Sequence, residues 1–273
     1  MEWSTEAAPK GRRQTAAGRR KAALARSRAA MAMAVLVAMA MAGLVAAYLW
    51  MGGKAGSVSP SPALDGPGAA GSEMVDSDGW PEVDWDYWTS VNPSVVGWIS
   101  VDGTDLSQPV VQASKDDPTW WLRHDVWGNW SLYGAVYLDA ECAEGGLLES
   151  RNAVVFGHNM GFGDMSMLAW FAEYSSPEFA DAHRTVRLQT PAGRRLLEVR
   201  AAAVIGGLDA TKRTSFDGRQ DFDAWWDART SEACTVLDSS SEGLWERGVV
   251  TVATCSYNYW SDERTVVYLA DAE

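Results

Sequence analysis

The chain has 273 residues and a formal net charge of −13 at pH 7, a length that fits one compact domain with additions. The charge is uneven. Eight of the 23 Lys and Arg but only two of the 36 Asp and Glu precede residue 29, which leaves 15 basic against 34 acidic residues beyond it. An acidic body repels phosphate backbones and excludes nucleic acid as a partner.

Residues 29–51, "AAMAMAVLVAMAMAGLVAAYLWM", contain no charged side chain. The run is long enough to cross a bilayer with some tilt. Tyr48 and Trp50 sit where an aromatic belt lies, and the basic cluster ahead of the run keeps the amino terminus cytoplasmic and exports the body. A cleaved signal peptide has a shorter apolar core of about 7–15 residues. The expected organisation is a basic cytoplasmic segment 1–28, a transmembrane helix 29–51, a flexible linker 52–79 rich in Gly, Ser, Pro and Ala, and a folded domain 80–273.

The stretch "WPEVDWDYWTSVNP" opens that domain. Pro81 suits a first helical position, acids follow in the first turn, and Trp85 and Trp88 lie three apart. A short amphipathic helix is expected there, ending before Pro93. The period then changes. The runs 95–101, 109–113, 134–140 and 152–157 are short, rich in β-branched residues and bounded by Gly, Asp or Pro, as strands are. "TVRLQTPAGRRLLEVRAAAVIG" reads as two strands around a turn at Pro191-Ala192-Gly193, and "VVTVATC" and "RTVVYLA" close the chain. Helical inserts are expected near 117–122, 165–172, 177–183 and 221–234. The fold class is therefore mainly β with added helices: an eight-stranded β-barrel, an N-terminal helix and a helix between strands 6 and 7. Closure into a barrel removes edge strands.

Three histidines are present. His158, in "VVFGHNM", follows an apolar strand and a glycine, at a strand end where a site can be built. His183 sits beside Arg184 and reads as solvated surface; His124 reads as a structural hydrogen-bond partner. In an oxidising exterior Cys142 and Cys234 can pair, which leaves Cys255 as an odd and therefore reactive thiol; the alternative is that all three are small buried hydrophobes. Cys255 ends its strand. Arg264 starts the return strand of the same hairpin, so the two project from neighbouring strands. A nearby cation favours the thiolate, and a guanidinium fork can hold an oxyanion while staying charged. Alone, Arg264 reads as one half of an ion pair with Asp262 or Glu263.

The order His158, Cys255, Arg264, carried by "GHNM", "TVATC" and "DERTVV", resembles the sortase family, class B above all. The likeness extends to "NPSVVGWISVDGTDLSQPVVQ" and "HDVWGNWSLYGAVYLDAE". It implies a sortase-like barrel with no calcium site and no cofactor. The implied enzyme is a membrane-anchored cysteine transpeptidase on the surface of a Gram-positive cell, with Cys255 as nucleophile, His158 as general acid and base, and Arg264 on the oxyanion. Its implied partners are surface proteins bearing a C-terminal sorting motif and, as acceptor, an amine of a peptidoglycan precursor or a pilin lysine. Two other classes compete: an exported cysteine peptidase that only hydrolyses, and a non-catalytic wall-binding barrel using Tyr257, Tyr259 and Trp260.

Overall fold

Asp84 starts the first helix, and Pro81 does not. The computed structural model describes residues 75–207, 212–256 and 262–272. In it α1 spans Trp85–Val91, with the Asp84 carboxylate accepting the Tyr87 N–H at 2.9 Å. That bond satisfies one of the orphan donors of a helix start. Pro81 pairs instead with Val75 in an isolated bridge, and its carbonyl accepts from Gln189 Nε2. The expected cytoplasmic segment, the transmembrane helix, the linker up to residue 74, and Tyr257, Tyr259 and Trp260 lie outside the described residues.

Nine strands follow in the chain: β1 Val95–Val101, β2 Ser107–Gln112, β3 Val136–Leu138, β4 Asn152–Phe156, β5 Thr185–Thr190, β6 Gly193–Gly206, β7 Thr235–Val236, β8 Val249–Cys255 and β9 Glu263–Asp271. Their spatial order is β5-β1-β2-β3-β4-β8-β9-β6-β7, and β5 also pairs with β6. Eight strands thus close a mixed barrel, as expected, and the two-residue β7 hangs outside on β6. The β2–β3 and β4–β8 pairs are parallel. Closure depends on the long β6, whose first part pairs with β5 and whose later part pairs with β9.

Alternation along each strand builds two packing layers. Val250, Val252, Val267 and Leu269 point inward with Ile99, Val110, Leu138, Val155 and Leu188. On the outer face, Val249, Ala253, Val266 and Tyr268 pack under Phe222, Trp225 and Trp226, which belong to α2 (Arg219–Ser231). This is the expected helix between the sixth and seventh barrel strands. Because β8 and β9 are covered on both sides, their sequences read as continuous apolar runs. Trp88 of α1, with Trp121 and Val126, covers the outer face of β1 to β3 around Trp98 and Tyr137. The other expected helical inserts are single turns at Trp120–Leu122, Ala169–Ala172 and Pro177–Ala182.

Candidate active site

Three neighbouring strand ends meet at one edge of the barrel. In the β8–β9 hairpin Cys255 lies directly opposite Arg264, and Ala253 opposite Val266. Residues that oppose one another in a ladder share a face, and Ala253 and Val266 belong to the outer layer. Cys255 and Arg264, two residues further along each strand, therefore carry their side chains on that same outer face. On the other flank of β8, β4 runs parallel, with Phe156 paired to Ala253. Continuing that register by two residues brings His158 level with Cys255. Side-chain bonds carry the pairing past the last ladder step: Thr254 Oγ1 donates to the Gly157 carbonyl at 2.9 Å, and Asn159 Nδ2 donates to the Cys255 carbonyl at 2.9 Å. The fold thus places the chain segments that carry the three residues singled out from the sequence side by side.

His158 is half-buried, and its Nε2 lies 2.9 Å from the Leu122 carbonyl. A carbonyl only accepts, so the proton sits on Nε2 and Nδ1 is left for the site. The His158 carbonyl in turn accepts from Leu168 N–H. Leu122 reaches the ring because Gly134 lets two chains touch. Gly134 has φ +62°, and a Cβ there would press into the Trp121 and Leu122 carbonyls.

Arg264 is two-fifths exposed, and its Nη1 donates to the Glu263 carbonyl at 3.0 Å. The nearest Asp262 oxygen is 3.7 Å from Nη1, beyond hydrogen-bonding distance. The ion pair with Asp262 is therefore loose. Cys255 is partly exposed at its strand end, as a reactive thiol must be.

The remaining candidates fall elsewhere. Cys142, Cys234 and Cys255 are all free. Cys142 is buried, with Sγ donating to the Asn152 carbonyl at 3.5 Å, whereas Cys234 Sγ sits 3.3 Å from the Ala202 carbonyl. The two thiols that were available to pair thus belong to different parts of the barrel wall. Burial pushes the Cys142 thiol up from its ordinary pKa. His124 stacks on Trp120 with ring centroids 3.5 Å apart and bonds its carbonyl through Nδ1, the structural role expected of it. His183 differs from the expected solvated surface: it is half-buried, caps the turn Pro177–Ala182 and bonds the Asp102 carbonyl. Among the described residues no group of three or more His, Cys, Asp or Glu is placed to hold a metal ion, and no helix is long and apolar enough to cross a membrane. Three participants had no assignment from sequence: Asn159, Thr254 and the Leu122 carbonyl. The "GHN" and "TC" neighbours were visible, but their long-range partners were not.

The closed mixed barrel with its outer helix is the sortase fold. The solved Staphylococcus aureus sortase B-substrate complex superposes with a TM-score of 0.58 at 23% identity, over 69% of this chain and 85% of that one. No family model matches the sequence. Among curated proteins, sortase B of Staphylococcus aureus is 24% identical over 180 residues, 66% of this chain and 70% of that protein. Sortase B of Listeria monocytogenes is 28% identical over 95 residues, 35% of this chain and 36% of that protein. The chain is thus similar in sequence to these sortase B proteins and shares the fold of the solved sortase B.

Proposed function

We propose that the protein is a membrane-anchored transpeptidase that uses Cys255, His158 and Arg264 to move a surface protein from its sorting signal onto an amine. The observation that supports this reading is Cys255 opposite Arg264 in the β8–β9 ladder, with His158 two residues past the last β4–β8 pair, Phe156 with Ala253. His158 Nδ1 takes the Cys255 thiol proton, and the thiolate so formed attacks the carbonyl of a threonine in the sorting signal. The oxyanion of the tetrahedral intermediate lies within reach of the Arg264 fork. Collapse expels the amine of the next residue, which takes a proton from His158 and leaves a thioacyl-enzyme. An incoming amine gives its proton to His158, attacks the thioester carbonyl and regenerates the thiolate. A sortase B complexed with triglycine has been solved, which supports a small peptide amine as acceptor; a peptidoglycan cross-bridge or a pilin lysine supplies such a group.

The same reading keeps residues 29–51 as the membrane span, residues 1–28 in the cytoplasm, residues 52–79 as a tether, and the domain 80–273 outside the cell. The uncharged apolar run and the basic cluster ahead of it support this.

The test is turnover of a threonine-containing sorting-signal protein with and without triglycine. Cys255→Ala is expected to abolish cleavage while leaving the circular dichroism spectrum unchanged; retained cleavage overturns the reading. His158→Ala is expected to lower kcat by about 10²–10⁴-fold and Arg264→Ala by about 10²–10³-fold. A ligated product in the presence of triglycine marks a transpeptidase. Hydrolysis alone, whatever the amine, marks a peptidase. A Cys255 inert to a thiol reagent at neutral pH marks a binding protein.

A further inference from the structure

Asn159, the residue after His158, is buried at 8% exposure. Both ends of its side-chain amide are used. Nδ2 donates to the Cys255 carbonyl at 2.9 Å, and Oδ1 accepts the Gly161 N–H at 2.9 Å. The parallel ladder between β4 and β8 ends at Phe156 and Ala253. Beyond that point backbone pairing no longer fixes one strand against the other, yet His158 and Cys255 both lie there. Thr254 bonding Gly157 and Asn159 bonding Cys255 replace the missing ladder. We infer that Asn159 is a positioning residue for the reaction: its donor holds the Cys255 peptide plane, and so the direction of the thiol, at a set distance from the neighbouring imidazole. This rests on the roles proposed above for Cys255 and His158.

A buried amide bond to a strand-end carbonyl could serve stability alone, and the protein contains its own control. Asn152 opens β4 at the far end of the same strand pair. It is fully buried, accepts from Thr251 Oγ1 at 2.7 Å and donates to the Arg213 carbonyl at 2.8 Å. It has the same chemistry on the same strand pair, and the one thiol beside it, Cys142, is buried with its thiolate disfavoured. A stability role predicts like behaviour from the two asparagines; a positioning role predicts a difference.

The experiment uses the full chain in detergent micelles. Iodoacetamide alkylation of Cys255 is followed by peptide mass, beside thermal midpoints and steady-state turnover of a threonine-containing peptide. Asn159→Ala removes both bonds. Asn159→Asp keeps the acceptor for Gly161 but cannot donate to Cys255. Both are expected to slow Cys255 alkylation at least fivefold and to lower kcat by about 10–100-fold, the scale of an ångström-sized misplacement, with KM within twofold. Asn152→Ala is expected to lower the midpoint while leaving alkylation and kcat within twofold. Thr254→Val, uncharged and close in shape, removes the companion bond and is expected to slow alkylation in the same sense, which keeps the test open if Asn159→Ala does not fold.

Alkylation and kcat within twofold of wild type in Asn159→Ala overturn the inference. So does slowing in Asn159→Asp alone, which would be an effect of the new charge, or slowing in Asn159→Ala alone, which would place the role at Gly161. If Asn159→Ala does not fold, unchanged alkylation in Thr254→Val overturns it. Any of these results with Cys255→Ala still inactive leaves the proposed mechanism intact; cleavage retained in Cys255→Ala overturns the mechanism itself.

Discussion

A single missing side chain sets the reach of the Leu122 carbonyl. Gly134 combines φ +62° with a Cβ position already occupied by the Trp121 and Leu122 carbonyls, whereas Gly163 has φ +81° and nothing within 4 Å of its Cβ position. Gly163→Ala therefore meets only the left-handed backbone cost of about 1–2 kcal/mol. Gly134→Ala meets that cost and must also displace the carbonyl that bonds His158. We expect Gly134→Ala to lower both the thermal midpoint and turnover, and Gly163→Ala to lower the midpoint alone, as melting curves and kcat on the paired variants will show. Cys142 offers a second check at this scale. Burial disfavours its thiolate, so mass-resolved alkylation at neutral pH is expected to modify Cys255 well before Cys142.

The elements show where local signals prevail and where they fail. Two helix-start signals compete ahead of α1, and the side-chain acceptor wins. Asp84 bonds Tyr87 N–H directly, while Pro81 offers only a suitable φ and is held away by its contacts with Val75 and Gln189. Asp84→Ala is expected to cost about 1 kcal/mol, measured by denaturant unfolding. The two-residue β7 has no alternation to read and exists only because β6 offers it an edge. The N-cap of α2, Gly218, makes no side-chain bond, and the helix is held instead by its buried aromatic face. Trp226 is fully buried and donates Nε1–H to the Ser239 carbonyl at 2.9 Å. Trp226→Ala is expected to cost about 3–5 kcal/mol, enough to loosen the helix from β8 and β9.

At the scale of the whole molecule, the helices and turns laid over the outer face of the barrel bury tyrosines that resist ionisation. Burial, helped by the charge of Asp139, pushes Tyr137 up to about 12, and burial pushes Tyr268 up to about 12. The fold favours the neutral phenol, and the unfolded chain releases its proton near 10. Stability is therefore full below about pH 10 and is lost as pH rises through about 12, by roughly 2–3 kcal/mol for each tyrosine. Denaturant midpoints are expected to fall steeply between those values, and Tyr137→Phe to flatten the fall. Local signals were sufficient for much of this architecture: alternation and turn residues located eight strands, and the hairpin alone placed Cys255 beside Arg264, because those patterns act within a few residues of chain. The tertiary structure decided the rest. The β1–β5 and β6–β9 pairings, the Leu122 carbonyl on His158 across 36 residues and the Asn159 amide on Cys255 across 96 join segments whose meeting depends on how the whole sheet curls. No local period encodes a contact between chain segments that only closure brings into register.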